Sequence, residues 1–207
     1  MRIPRFRVIA GLISGPAIIA SALVASTPAS ASPVLTPPPP AFMTCKTVGN
    51  GFICEGTLNS SYAGYDTGIG CGSGEGAFDV MDQGTVNQHF IYRYNTDGNQ
   101  TELFFTYQAS GQYSNPLTGA VIPYIQHQNV TDVPAVPGDW SIYTDTVTGQ
   151  NNFTVPGMGA VALNAGKFVF HSADGSVEFS GPQQFDDYYF NGNTAAVAEL
   201  CTALGAS

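Results

Sequence analysis

The stretch His89-Phe90-Ile91-Tyr92-Arg93-Tyr94-Asn95-Thr96-Asp97-Gly98-Asn99-Gln100-Thr101-Glu102-Leu103-Phe104-Phe105-Thr106-Tyr107 decides the fold class of this chain. Phe90, Tyr92 and Tyr94 alternate with His89, Ile91 and Arg93; past Asp97-Gly98, Leu103, Phe105 and Tyr107 alternate with Glu102, Phe104 and Thr106. A period of two on both sides of an Asp-Gly turn marks an antiparallel hairpin. A second such hairpin joins Lys167–Ser172 to Val177–Ser180 through Ala173-Asp174-Gly175-Ser176. Between the two lie alternating segments at Val121–Val130, Trp140–Val147, Asn152–Val155 and Ala160–Leu163, punctuated by Pro116-Leu117-Thr118-Gly119, Pro134–Gly138, Thr148-Gly149 and Pro156-Gly157.

About eight consecutive strands predict an all-β fold, an antiparallel meander closing into a barrel, with an open and strongly bent sheet as the alternative. One short helix is predicted at the C-terminus, where Asn193 or Thr194 can cap it. Val197, Leu200, Cys201 and Leu204 fall at helical spacing there and Gly205 stops it. Asp186-Asp187-Tyr188-Tyr189 falls in a turn-rich stretch ahead of that helix, and the glycine-rich region Tyr62–Gly76 is predicted as a loop pinned by Cys71.

The chain opens with Arg2, Arg5 and Arg7 before an apolar run from Val8 to Ala25, followed by Pro28 and Ala29-Ser30-Ala31. This is the pattern of a secretory signal peptide with an A-x-A site, so residues 1–31 are expected to leave on export. Residues 32–41, with Pro37–Pro40, read as an extended proline-rich linker, and 42–207 as a single domain large enough to bury a core unaided. Cleavage leaves Lys46, Arg93 and Lys167 against 15 acids, a net charge of −12. That balance argues against nucleic acid and anionic membrane surfaces as partners, since both are bound through lysine and arginine.

In an oxidising space the four cysteines can pair in three ways. Gly49-Asn50-Gly51 lies midway between Cys45 and Cys54 and would turn a hairpin that brings them together, which leaves Cys71 for Cys201. No C-x-x-C pair suggests redox chemistry.

Candidate functional residues are few. Arg93 is the one arginine of the mature chain; if buried it needs a carboxylate such as Glu102 or Glu178, or an anionic ligand. His89, His127 and His171 lie on predicted strands but far from local metal-ligand spacing. With no H-E-x-x-H present, no metal or cofactor is assigned. There is no G-x-S-x-G elbow, and Asp79, Asp82, Glu102, Asp145 and Glu178 are the carboxylates available for acid/base work. Tyr124, Tyr107, Tyr113, Trp140 and Tyr143 supply aromatic surface for a core or for a ligand.

Tyr92-Arg93-Tyr94-Asn95-Thr96-Asp97-Gly98-Asn99, Tyr113-Ser114-Asn115-Pro116-Leu117-Thr118-Gly119 and Phe168-Val169-Phe170-His171 through Asp174-Gly175-Ser176-Val177 resemble a family of small exported actinobacterial proteins with no assigned activity. The resemblance implies export and a β fold and carries no active site. A looser likeness to calycin-type and allene oxide cyclase-like barrels concerns architecture only. The leading expectation is a secreted, non-enzymatic β-barrel that binds a small apolar or amphipathic ligand or the cell envelope, with Arg93, His89, His127, Tyr124 and Glu102 as candidate ligand contacts. The alternatives are a small extracellular hydrolase or isomerase using Arg93 with His89 or His127, and a structural protein with a filled core.

Overall fold

A computed structural model of the chain describes residues 33–155 and 159–206. The expected signal peptide and the Pro156-Gly157 turn lie outside the described residues. Eight antiparallel strands form one sheet in strict sequence order: β1 Thr44–Val48, β2 Gly51–Cys71, β3 Phe78–Tyr94, β4 Gln100–Ser114, β5 Val121–Val136, β6 Asp139–Val155, β7 Gly159–His171 and β8 Ser176–Ser180. Both Asp-Gly hairpins form, between β3 and β4 and between β7 and β8, with Gly98 and Gly175 at positive φ.

The sheet does not close into a barrel. Closure requires the first and last strands to pair along their length, but β1 and β8 have five residues each and neither neighbours the other. Beyond residue 55 β2 is an edge strand, and so is β7 before residue 167. The C-terminal segment spans the gap between these two edges. On the β7 side Ala165 N donates to Pro182 O (2.6 Å), Phe185 N to Asn164 Oδ1 (2.8 Å) and Asn164 Nδ2 to Asp186 (2.9 Å). On the β2 side the Tyr188 hydroxyl donates to Gly68 O (3.0 Å), the Tyr189 hydroxyl donates to Thr67 O (2.7 Å), and Cys71 is bonded to Cys201. Side chains and a disulfide thus satisfy edges that strand pairing would otherwise cover.

This segment contains α1 (Gln184–Asn191), a 3-10 turn (Thr194–Val197) and α2 (Ala198–Ala203). The 3-10 turn and the second helix together occupy the predicted helical stretch, with Asn193 capping the 3-10 turn by accepting from Ala195 N. The first lies where a turn-rich stretch is expected; Pro182 before it and Gly192, left-handed at its C-cap, are its boundary signals. Two other expectations change. Thr148-Gly149 is no turn: β6 runs through it, and a Cβ on Gly149 (φ 137°) would run into His127 O, so this glycine permits close strand approach. The glycine-rich region is strand up to Cys71, with two register shifts.

The helices cover one face of the sheet, called inner here. Phe153 is fully buried, with Tyr113 4.8 Å and Phe185 4.7 Å away between ring centroids, and Leu200, Leu204, Val197, Ile69 and Val80 complete this core. Buried Asn115, from the Asn-Pro-Leu-Thr-Gly turn, accepts from Leu117 N and donates to Leu204 O (3.0 Å), which fixes the end of α2. The proline-rich segment from residue 33 is tied to the β3–β4 turn: Thr36 bridges Asn99, and the Tyr94 hydroxyl donates to Pro37 O. Both disulfides pair as the hairpin argument favours, Cys45 with Cys54 and Cys71 with Cys201.

The sequence separations of 9 and 130 residues give the two disulfides different weight. Chain-entropy scaling predicts that removing Cys71–Cys201 by paired serine substitutions lowers the unfolding free energy by about 5 kcal/mol, against about 3 kcal/mol for Cys45–Cys54. Urea denaturation of the two double variants tests that order.

Candidate functional site

Strand register assigns every side chain to a face. Lys46, Ile53, Arg93 and Glu102 form one cross-strand row on the outer face. There Arg93 Nε donates to Glu102 at 2.9 Å, with the arginine side chain 47% exposed. His89 hydrogen-bonds to Thr57 and His171 faces Glu178, both on the outer face, and register places His127 and Lys167 there too. Arg93 and Glu102 are therefore a surface ion pair, and no barrel mouth brings Arg93 to a histidine. Among the described residues no group of three or more His, Cys, Asp or Glu is arranged to hold a metal ion.

His127 lines an open outer-face trough of about 600 Å³ with Asn59, Thr85, Asn87, Gln108 and Ser110. Its polar groups serve one another: Asn87 donates to Asn59, and Thr85 bonds Ser110. Exposed groups that are already paired or wet gain little from a ligand.

The inner face is different. Tyr124 crosses Gly111 and Gly84, where any Cβ would crowd its hydroxyl, and reaches Asp82 (3.0 Å) and Tyr62. Asp82 is 9% exposed; burial raises its pKa, and the two phenol hydrogen bonds counter that. Burial also pushes the Tyr62 hydroxyl up to about 12, so these phenols stay neutral donors. Tyr124 is thus a buried network residue.

The next inner row along the sheet is Ser60, Val86, Ala109, Gln126, Asn151 and Asn164. Here α1 stands off the sheet and leaves a cavity of about 250 Å³, with Tyr113, Phe168, Phe185 and Tyr189 among its apolar walls and Gln126, Gln128, Asn151 and Asp186 among its polar ones. Asn151 is 7% exposed, and its buried Oδ1 has no hydrogen-bond partner. Burial, then the charge of Asp145, pushes Asp186 up to about 6.

Further along, Cys54, Tyr92, Leu103, Asp132, Asp145 and Phe170 share an inner row. Asp132 and Asp145 are directly opposed across β5 and β6, with both side chains on the inner face. Burial first, then the Asp145 charge, pushes Asp132 up to about 8, and burial raises Asp145 as well. Two carboxyls this close share a proton at neutral pH. Asp145 Oδ1 is buried and, among the described residues, has no hydrogen-bond partner. Phe170 stands opposite Asp145 on β7, the hydroxyls of half-buried Tyr92 and Tyr143 feel the charge of the pair, and Phe190 of α1 packs on Phe168 and Phe170.

Sequence reasoning weighed Asp145 and Asp82, and placed Asp186 in a turn-rich stretch that could line a barrel mouth, but missed Asp132 and Asn151. Register alone brings Asp132 to Asp145, and the unforeseen α1 brings Asp186 to Asn151. Compared with protein-family models, curated proteins and solved structures, the chain matches none. Among the described residues no helix is long and apolar enough to cross a membrane.

A carboxyl with a raised folded-state pKa gives stability that is complete below its unfolded value near 3.9 and lost as pH rises toward the folded value. The unfolding free energy should therefore fall between pH 4 and pH 8 on account of Asp132. Asp132→Asn should flatten that decline and raise the stability at pH 8 by about 1–2 kcal/mol. Thermal denaturation across pH checks the slope.

Proposed function

We propose that this protein is exported and non-enzymatic, and that it holds a small amphipathic ligand on the inner face of its open sheet, in the cavity walled by α1. The observation that carries this reading is the cavity itself, where the rings of Tyr113, Phe168, Phe185 and Tyr189 meet the amides of Gln126, Gln128 and Asn151 and the carboxyl of Asp186. Apolar walls with a few convergent polar groups are the usual make-up of a small-molecule site. Export is supported by the N-terminal sequence pattern and by two disulfides with no free cysteine.

One observation favours a second reading. The proton-sharing pair Asp132–Asp145 is an arrangement suited to general acid/base chemistry, which supports a small extracellular hydrolase. Under that reading Asp145→Asn abolishes turnover of ester or glycoside substrates that the wild type cleaves; under the binding reading the wild type shows no turnover.

The test is native mass spectrometry of the mature protein purified from its own secreting host. A retained small molecule is expected in the wild type and in Arg93→Ala, His89→Ala and His127→Ala. It should be lost in Asn151→Leu, which removes the acceptor and fills the cavity. An adduct that survives Asn151→Leu and disappears in Arg93→Ala contradicts the reading.

A further inference from the structure

The two faces of the sheet divide the charges unevenly. Lys46, Arg93 and Lys167, the basic residues within the described part of the chain, are all on the outer face, as are His89, His127 and His171. The inner face and the helix above it carry Asp82, Asp132, Asp145 and Asp186, and none of the ion pairs reaches any of them. Asp82 is served by two phenols, and Asp132 with Asp145 by a shared proton. Asp186 has one neutral donor, Asn164, and stands in the first turn of α1. It lines the cavity together with the amide side chain of Asn151 and the rings of Tyr113 and Tyr189.

From this arrangement we infer that the ligand of the α1 cavity is a protonated amine attached to an apolar body. The ammonium would pair with Asp186, and the aromatic walls would take the apolar part and the face of the cation. A metal ion is the less suitable occupant, because the cavity offers one carboxylate among amides and rings, and no group of metal-binding side chains is assembled in the described residues. The inference rests on the cavity reading above and adds the charge of the ligand.

The charge partner of the site also sets its pH dependence. The titratable groups facing Asp186 are Asp145 from β6, Tyr113 from β4 and Tyr189 from α1. Burial raises the pKa of all three, and none supplies a positive charge. With Asp186 titrating at about 6, amine binding should be strongest above pH 7 and weaken as the carboxylate protonates toward pH 5.

Calorimetric titration of the oxidised, ligand-stripped protein with 2-phenylethylamine and with its neutral counterpart 2-phenylethanol tests this. At pH 8 the amine should bind at least about tenfold tighter than the alcohol, the margin of one charge-assisted hydrogen bond. At pH 5, where the ammonium is still charged, most of that margin should vanish. Asp186→Asn should remove the margin at pH 8 while leaving the alcohol affinity in place, and the wild-type pH series carries the same test should that variant not fold. Equal binding of amine and alcohol at pH 8 overturns the inference and leaves the cavity reading standing. Failure of both to bind overturns the two together.

Discussion

Everything about this fold that concerns a ligand depends on one constraint: the C-terminal segment must reach from the edge of β7 to the edge of β2. Asn164 holds the start of α1 with both of its amide atoms, and Tyr188, Tyr189 and Cys201 hold the far side. A meander of eight strands ending in two five-residue strands leaves its long edges bare. Bare edges invite pairing with other chains. A helix laid across the gap protects them without the geometry of a barrel, and because a helix and a sheet do not mesh everywhere, it leaves space between them. The cavity under α1 is that space.

Charge segregation follows from the same construction. The alternation of strand side chains forces a choice of face at every position. The outer face collects Thr, Asn, Gln and Ser together with every cation of the described chain, and its side chains pair with each other or with water. The inner face collects aromatics and aspartates. Carboxyls held among aromatic rings without a cation must be neutralised by protons or by something from outside, and their raised pKa values report that tension.

The sequence made the all-β class, the consecutive strand order and the two hairpins legible because alternation and Asp-Gly turns are local signals, and it favoured the observed disulfides for the same reason. By contrast, β6 and β7 each read as two shorter segments and much of β2 as a loop. Local signals failed where the outcome depends on distant partners. Closure depends on whether the two ends of the sheet meet, which Gly49-Asn50-Gly51 and Asp174-Gly175 cannot report. Gly149 reads as a turn until β5 is placed beside it, when it becomes the gap that lets His127 O approach. Arg93 attracted interest as a lone arginine between tyrosines, yet the parity that puts Tyr92 and Tyr94 inside puts Arg93 outside. Asp132 and Asp145 are thirteen positions apart and become a pair only through register. Asp186 was hidden by a helix whose first turn carries two aspartates and reads as a turn.

The central claim is that the inner face under α1, rather than the larger outer trough, is the working surface. Chemical-shift mapping of the labelled protein during titration with 2-phenylethylamine tests it most directly. The account predicts perturbations of the Gln126, Gln128 and Asn151 side-chain amides and of the α1 backbone around Asp186. Perturbations confined to Asn59, Asn87, Gln108 and His127 would contradict it.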